Sequence, residues 1–272
     1  MNIKKHIPNV ITCGNLLCGC LATLFAFNTV SIPNKIVMSD NLVWCAYLVG
    51  IAAVLDFFDG FVARLLKVGG EMGKQLDSLA DMVTFGVVPG AIMFKLIRLS
   101  SMNELMGIYD GTKNYNVFIY YFYGFSAYLA FLIPIFSAIR LAKFNIDTRQ
   151  ISSFIGVPTP ANAILICSIP LITTFQPIFL EFDVTTIISN IYFLIGLTLI
   201  MSYLLVAELP LFALKFKTFK WADNKIRFVF LISSLLLLIL FQFIAIPFII
   251  FLYIVLSIIN NTVNKNEIQS RN

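Results

Sequence analysis

The sequence predicts an all-α fold, a polytopic bundle of about eight membrane-spanning helices in a single domain over residues 1–272. Three observations carry this expectation. Hydrophobic residues make up 59% of the chain and charged residues only 12%, roughly half the charged share of an ordinary soluble domain. The mean hydropathy is +0.90. Apolar runs of about 20 residues, the length that crosses the hydrocarbon of a bilayer, follow one another with short polar connectors and no soluble stretch between them.

The first span is expected near residues 10–30. The opening MNIKKHIPNVITCGNLLCGC has the basic start and apolar run of a secretory leader, and Leu17 to Cys20 has the look of a lipoprotein cleavage box. Asn15 interrupts that run, however, and apolar character continues to Val30, so the segment reads as a retained span. Spans two, 42–66, and three, 75–97, are joined by the short connector KVGGEMG. The connector from Leu99 to Asn116 has the Gly, Asp and Asn content of a loop, and span four follows at 117–139. Pro158 and Pro160 shape the start of span five, 161–180. Span six covers 185–207, and the last two, 226–241 and 243–260, are only weakly separated.

Sidedness follows from charge. Of 19 Lys and Arg residues, only Lys35, Lys95, Arg98 and Lys113 fall outside when the N-terminus is placed in the cytosol. That asymmetry puts both termini and KVGGEMG on the cytosolic side of the cytoplasmic membrane. The IKKH start and the segment FKTFKWADNK, Phe216 to Lys225, join basic residues to aromatics, as interfacial anchors that attract anionic lipid do.

Several functions are disfavoured. The net charge of +5 is dispersed over connectors rather than along a stripe, so no nucleic acid partner is expected. The five cysteines, Cys13, Cys18, Cys20, Cys45 and Cys167, lie in apolar segments without zinc-site or disulfide spacing. His6 is the single histidine, which argues against a histidine metal site or a Ser/His/Asp triad. No internal repeat is evident, which weighs against a transporter built from duplicated halves.

Against this background LDFFDGFVARLLKVGGEMGKQLDSLADMV, Leu55 to Val83, places four aspartates along two apolar helices. At about 100° per residue, Asp56 and Asp59 lie roughly 60° apart and Asp77 and Asp81 about 40° apart, so each pair shares a face. An ionised aspartate at a helix centre costs about 2.5 to 3.5 kcal/mol on the insertion scale, on the order of 10 kcal/mol for four left unpaired. Pairing with Arg64, Lys67 and Lys74 offers fewer cations than acids. Convergence of both pairs on hard divalent cations balances better, and all-oxygen ligation points to Mg2+ or Mn2+. Gly60 and Gly73 are unfavourable in helix interiors by about 1 kcal/mol each, so they serve close helix packing or room for a ligand. Gly60 and Ala63 share the face of Asp56, and Arg64 is available to phosphate oxygens. A cation or proton transporter also uses intramembrane acids, but here all four come from two adjacent spans near one face.

The eight positions of D-x2-D-G-x2-A-R-x8-G-x3-D-x3-D are all present as Asp56, Asp59, Gly60, Ala63, Arg64, Gly73, Asp77 and Asp81. In them the sequence closely resembles the CDP-alcohol phosphatidyltransferase family. The resemblance implies a six-helix catalytic core, here residues 10–207, with 226–260 forming two additional helices. It also implies that an alcohol attacks the lipid-bearing phosphorus of CDP-diacylglycerol and releases CMP at the cytosolic edge of the membrane. On the same ground Asp56, Asp59, Asp77 and Asp81 hold divalent metal and Asp81 is the general base. Asp56, Gly60, Ala63, Arg64 and Gly73 line the CDP site, and the protein forms a homodimer.

Three further stretches resemble members of that family that use L-serine: IPNVITCGNLLCG, RLAKFN with FIGVPTPANA, and LLVAELPLFALKFK. Lys143 stands where arginine is common and loses the planar fork; Val157 replaces leucine, and Ala207 and Ala213 replace serines. The candidate acceptor contacts are Asn9, Thr12, Asn15, Arg140, Lys143 and Asn145, with Arg140 first for a serine carboxylate or a phosphate. For Arg140 a positive-inside anchor is the alternative, and for the three residues of span one, helix packing. The same chemistry with glycerol 3-phosphate or inositol stays open at this point.

Overall fold

The computed structural model describes residues 6–28, 40–109, 111, 117–147, 153–175, 184–212 and 221–269. Among the described residues eight principal helices are formed: α1 (Ile7–Phe27), α2 (Asp40–Leu66), α3 (Glu71–Tyr109), α4 (Val117–Ile146), α5 (Thr159–Thr174), α6 (Ile191–Val206), α7 (Trp221–Phe241) and α8 (Ala245–Gln269). The all-α polytopic membrane bundle expected from composition is the observed fold.

The helices approach closely where their facing residues are small, as helices without a hydrophobic drive toward one another in lipid require. Along α1 and α2 the buried residues include Ala22, Ala26, Cys45, Ala46 and Ala52, and the Cys45 thiol donates to the Ala22 carbonyl at 3.1 Å. Gly90 of α3 faces Pro134 of α4 so tightly that a Cβ there would stand 2.8 Å from the proline ring. Outer faces remain apolar: Phe57 is 63% exposed and Leu235 60%, as lipid contact demands.

Three boundaries differ from expectation. Helix α3 continues through Tyr109, so residues 99–109 are not loop. Two serines of that stretch find partners inside the bundle: the Ser100 hydroxyl donates to the Ser189 carbonyl at 2.7 Å, and Ser101 and Ser126 hydroxyls lie 2.9 Å apart. Helix α4 runs on to Ile146 after a 3-10 turn, Ser126–Phe131. Span six is broken into a short helix, Val184–Ile188, and α6, because Asn190 caps α6 by accepting from the Tyr192 and Phe193 amides. The last two spans are separate helices, as expected: the apolar run Asn224–Thr262 is folded on itself. As one rod it would separate Phe230 from Tyr253 by about 35 Å, yet their ring centroids are 5.5 Å apart. The bend is the 3-10 turn Gln242–Ile244, where Gln242 has φ +50.

One small feature has no counterpart in the apolar periodicity. Strands β1 (Ser153–Ile155) and β2 (Pro210–Phe212) pair antiparallel, Phe154 opposite Leu211. The pairing is extended by Gly156 N–H to the Leu209 carbonyl and Val157 N–H to the Leu204 carbonyl, both 2.9 Å. Gly156 has φ +76, and a Cβ there would lie 2.5 Å from the Leu205 carbonyl oxygen, so only glycine allows this approach. Helix α8 braces the ribbon: the Tyr253 hydroxyl donates to the Phe212 carbonyl at 2.8 Å and the Asn261 amide to the Pro210 carbonyl at 2.5 Å.

Candidate active site

Lys67, with φ +52, and the glycines after it turn the chain sharply at the end of α2, and α3 returns beside it. This hairpin is what brings the two acidic pairs together. Asp56, Asp59 and Asp77 each present a carboxylate oxygen, and the three oxygens lie within 4.8 Å of one another. Asp56 also lies within hydrogen-bonding range of Asp81. All four aspartates therefore converge, as the spacing implied.

A third helix completes the cluster. Thr12 and Asn15, one turn apart on the buried face of α1, each reach a different acidic helix: the Thr12 hydroxyl donates to Asp59 Oδ2 at 2.5 Å, and Asn15 Nδ2 donates to Asp81 Oδ1 at 3.3 Å. Asn15 is fully buried, and its Oδ1 has no hydrogen-bond partner among the described residues. Beside it α3 widens into a π-helical turn, Met82–Val87, directly after Asp81. Such turns are uncommon and recur at functional sites. Here the turn sends the Thr84 hydroxyl to the Asn15 carbonyl at 3.2 Å, and Thr84 packs against Gly19, where any side chain would collide with it.

The donor set suits a hard cation. Four carboxylates supply only oxygen, the preference of Mg2+ and Mn2+. Oxygens on opposite sides of an octahedral Mg2+ stand about 4.2 Å apart, compatible with the observed 4.8 Å limit. Of the neighbouring cations, Lys74 Nζ donates to the Asn145 carbonyl at 3.0 Å, and Arg64 lies within electrostatic reach of Asp59 alone among the four.

Beside the acids opens a cavity of about 650 Å³, lined by residues that include Asn9, Thr12, Asp59, Gly60, Ala63, Gly73 and Asp77. Its size lies within the ordinary range for small-molecule sites. Its walls are α1, the end of α2, the KVGGEMG turn and the start of α3. Gly73 keeps α1 close, since a Cβ there would stand 3.3 Å from Asn9 Oδ1. Asp56 and Arg64 do not line the cavity; the Arg64 guanidinium instead lies over Gly60, Nη1 3.4 Å from where a Cβ would be.

The remaining candidates divide. Arg140 is only 6% exposed and sits inside α4 rather than at its end; Nη1 donates to the Thr159 hydroxyl at 3.4 Å, and Nε is buried without a partner among the described residues. A membrane-surface anchor would be exposed. Lys143 shares a second, 330 Å³ cavity with Arg140. Asn145 donates to the Ser78 hydroxyl at 2.8 Å and so ties α4 to α3. Thr84 and Ser78 carry no motif signal; only their contacts single them out, while Thr159 lies in the stretch FIGVPTPANA and is singled out within it by its contact with Arg140.

Residues 5–201 match the sequence model described as CDP-alcohol phosphatidyltransferase. Among curated proteins the chain is similar to the CDP-diacylglycerol–serine O-phosphatidyltransferase of Bacillus subtilis, 31% identical over 176 residues, 65% of this chain and 80% of that protein. It is also similar to the protein of the same name from Helicobacter pylori strain J99, 34% identical over 161 residues, 58% of this chain and 54% of that protein. A third relative so named, from Saccharomyces cerevisiae, is 30% identical over 129 residues, 44% of this chain and 38% of that protein.

Proposed function

The chain belongs to the CDP-alcohol phosphatidyltransferase family, and from that premise we propose that it transfers the phosphatidyl group of CDP-diacylglycerol to the hydroxyl of L-serine, giving phosphatidylserine and CMP. The observation that carries this reading is the convergence of Asp56, Asp59, Asp77 and Asp81 beside the 650 Å³ cavity. The names of the relatives support serine as acceptor.

Gly60, Ala63 and Gly73 leave room along the cavity for the CDP moiety, with Asp56 and Arg64 at its edge. Asp56, Asp59, Asp77 and Asp81 hold Mg2+ or Mn2+, which when bound neutralises the pyrophosphate and the leaving phosphate. Asp81 accepts the serine hydroxyl proton as that oxygen bonds to the lipid-bearing phosphorus. The bond from this phosphorus to the CMP oxygen breaks, and CMP leaves with the electron pair. Arg140, with Lys143, faces the serine carboxylate from α4, while Asn145 holds α4 against α3. Thr12 and Asn15 fix the rotamers of Asp59 and Asp81, and Asn9 borders the CDP space.

Helices α1 to α6 form the catalytic core, and α7 and α8 are an added pair. The protein sits in the cytoplasmic membrane with both termini and the active site facing the cytosol. It works as a homodimer with one complete site per protomer. Sidedness is supported by the distribution of Lys and Arg.

Purified protein given CDP-diacylglycerol, Mn2+ or Mg2+, and labelled L-serine, glycerol 3-phosphate or inositol in parallel is expected to form phosphatidylserine and CMP. Lipid product with another acceptor and none with serine refutes the choice of acceptor. Ion transport into sealed vesicles without CMP release refutes the reaction class.

Groups that hold metal ligands commonly tune affinity by about 10- to 100-fold. Thr12→Val and Asn15→Leu are therefore each expected to raise the Mn2+ concentration for half-maximal activity about tenfold, with Thr12→Ser near wild type. Unshifted Mn2+ titrations in both Thr12→Val and Asn15→Leu would leave these residues a packing role only.

A further inference from the structure

The second cavity, about 330 Å³, is lined by two cations and two anions, Arg140, Lys143, Asp147 and Glu208, with Ile155 and Leu205 among its apolar walls. Arg140 is buried, its Nε has no hydrogen-bond partner among the described residues, and it is within electrostatic reach of Asp81. Through Arg140 the cavity is thus linked electrostatically to the acidic cluster. Glu208 is held at its rim by the stitching of the ribbon, since the hydrogen bonds that Leu204 and Leu209 accept lie on either side of it. It also lies beyond residue 201, where the match to the family as a whole ends. A feature that distinguishes one acceptor alcohol from another is expected outside the shared region.

The balance of charge identifies the ligand class. A phosphorylated alcohol carries charge of negative sign only, which carboxylates in its pocket would repel; a neutral polyol gives no charge for either sign to pair with. An amino acid with a hydroxyl side chain presents one carboxylate and one ammonium. We propose that Glu208 is a specificity residue that reads the ammonium of a zwitterionic acceptor, with Asp147 adding negative charge to the same cavity and Arg140 and Lys143 taking the carboxylate. This inference rests on the serine reading above.

The test compares L-serine with 3-hydroxypropionate, which is serine without its ammonium, as acceptors for the full-length enzyme. The readout is the ratio of their kcat/KM values, which loss of folded protein leaves unchanged. Wild type is expected to favour serine. Glu208→Gln lowers the ratio about fivefold, the size of a charge pair at a solvent-open rim, through KM rather than kcat, and Glu208→Asp restores most of it. An unchanged ratio in Glu208→Gln overturns the inference. So does a wild-type enzyme in which 3-hydroxypropionate competes as well as serine, a measurement that needs no variant to fold. An enzyme that turns over serine yet shows either result sinks this inference alone; one that uses only another acceptor sinks the serine reading with it.

Discussion

Asp81→Asn is expected to reduce phosphatidyl transfer by about 10²- to 10⁴-fold, the usual contribution of a positioned proton acceptor. The substitution keeps shape and a side-chain oxygen that can accept from Asn15 Nδ2, as Asp81 Oδ1 does at 3.3 Å. It removes the basic carboxylate. Helix content, detergent elution position and CDP-diacylglycerol binding should therefore be retained while CMP release falls. The position is demanding because Asp81 is followed at once by the π-helical turn and flanked by Asn15 on α1 and Asp56 on α2, so no neighbouring carboxylate can swing into its place without abandoning its own partner. Activity within a few-fold of wild type would remove Asp81 as the base and leave it a ligand only.

Stripping divalent cations with a chelator is expected to abolish transfer, by at least about 10³-fold, and Mg2+ or Mn2+ should restore it. The estimate follows from several kcal/mol of charge stabilisation on the transferring phosphate. A second readout is independent of turnover. With three carboxylate oxygens within 4.8 Å of one another, the metal-free cluster is electrostatically costly, so cations that bind only the folded state should raise its stability. At 100 times the dissociation constant the gain is about 2.7 kcal/mol, visible as an upward shift of Tm in the absence of any substrate. Asp59→Asn and Asp77→Asn should each diminish both the shift and the activity. Full activity in the chelated protein, or a Tm indifferent to Mn2+, contradicts the proposed metal site.

Much of the site is legible in the sequence. Charges inside apolar helices are so expensive that Asp56, Asp59, Asp77 and Asp81 announced themselves, and their spacing of three and four residues put each pair on one face. The turn between α2 and α3 was short enough that the pairs had to meet. Less legible were the partners that hold the acids. Thr12 and Asn15 stood out as polar residues in span one, but as candidate substrate contacts; their hydrogen bonds to Asp59 and Asp81 cross 47 and 66 residues of chain. Arg140 was open between anchor and ligand contact, and its burial speaks against the anchor.

Composition and charge spacing by themselves determined that this chain is a membrane bundle with an acidic centre between its second and third helices, because bilayer insertion penalises charge strongly enough to leave a mark in one dimension. Tertiary structure alone decided which side of α1 meets the acids, where α3 widens, and that a small ribbon carries Glu208 to the Arg140 cavity. The reason is physical: a helix with lipid on one side and protein on the other is apolar on both. The periodicity that reveals the buried face of a soluble helix is therefore largely erased, and small-residue packing and long-range hydrogen bonds must choose the contacts instead.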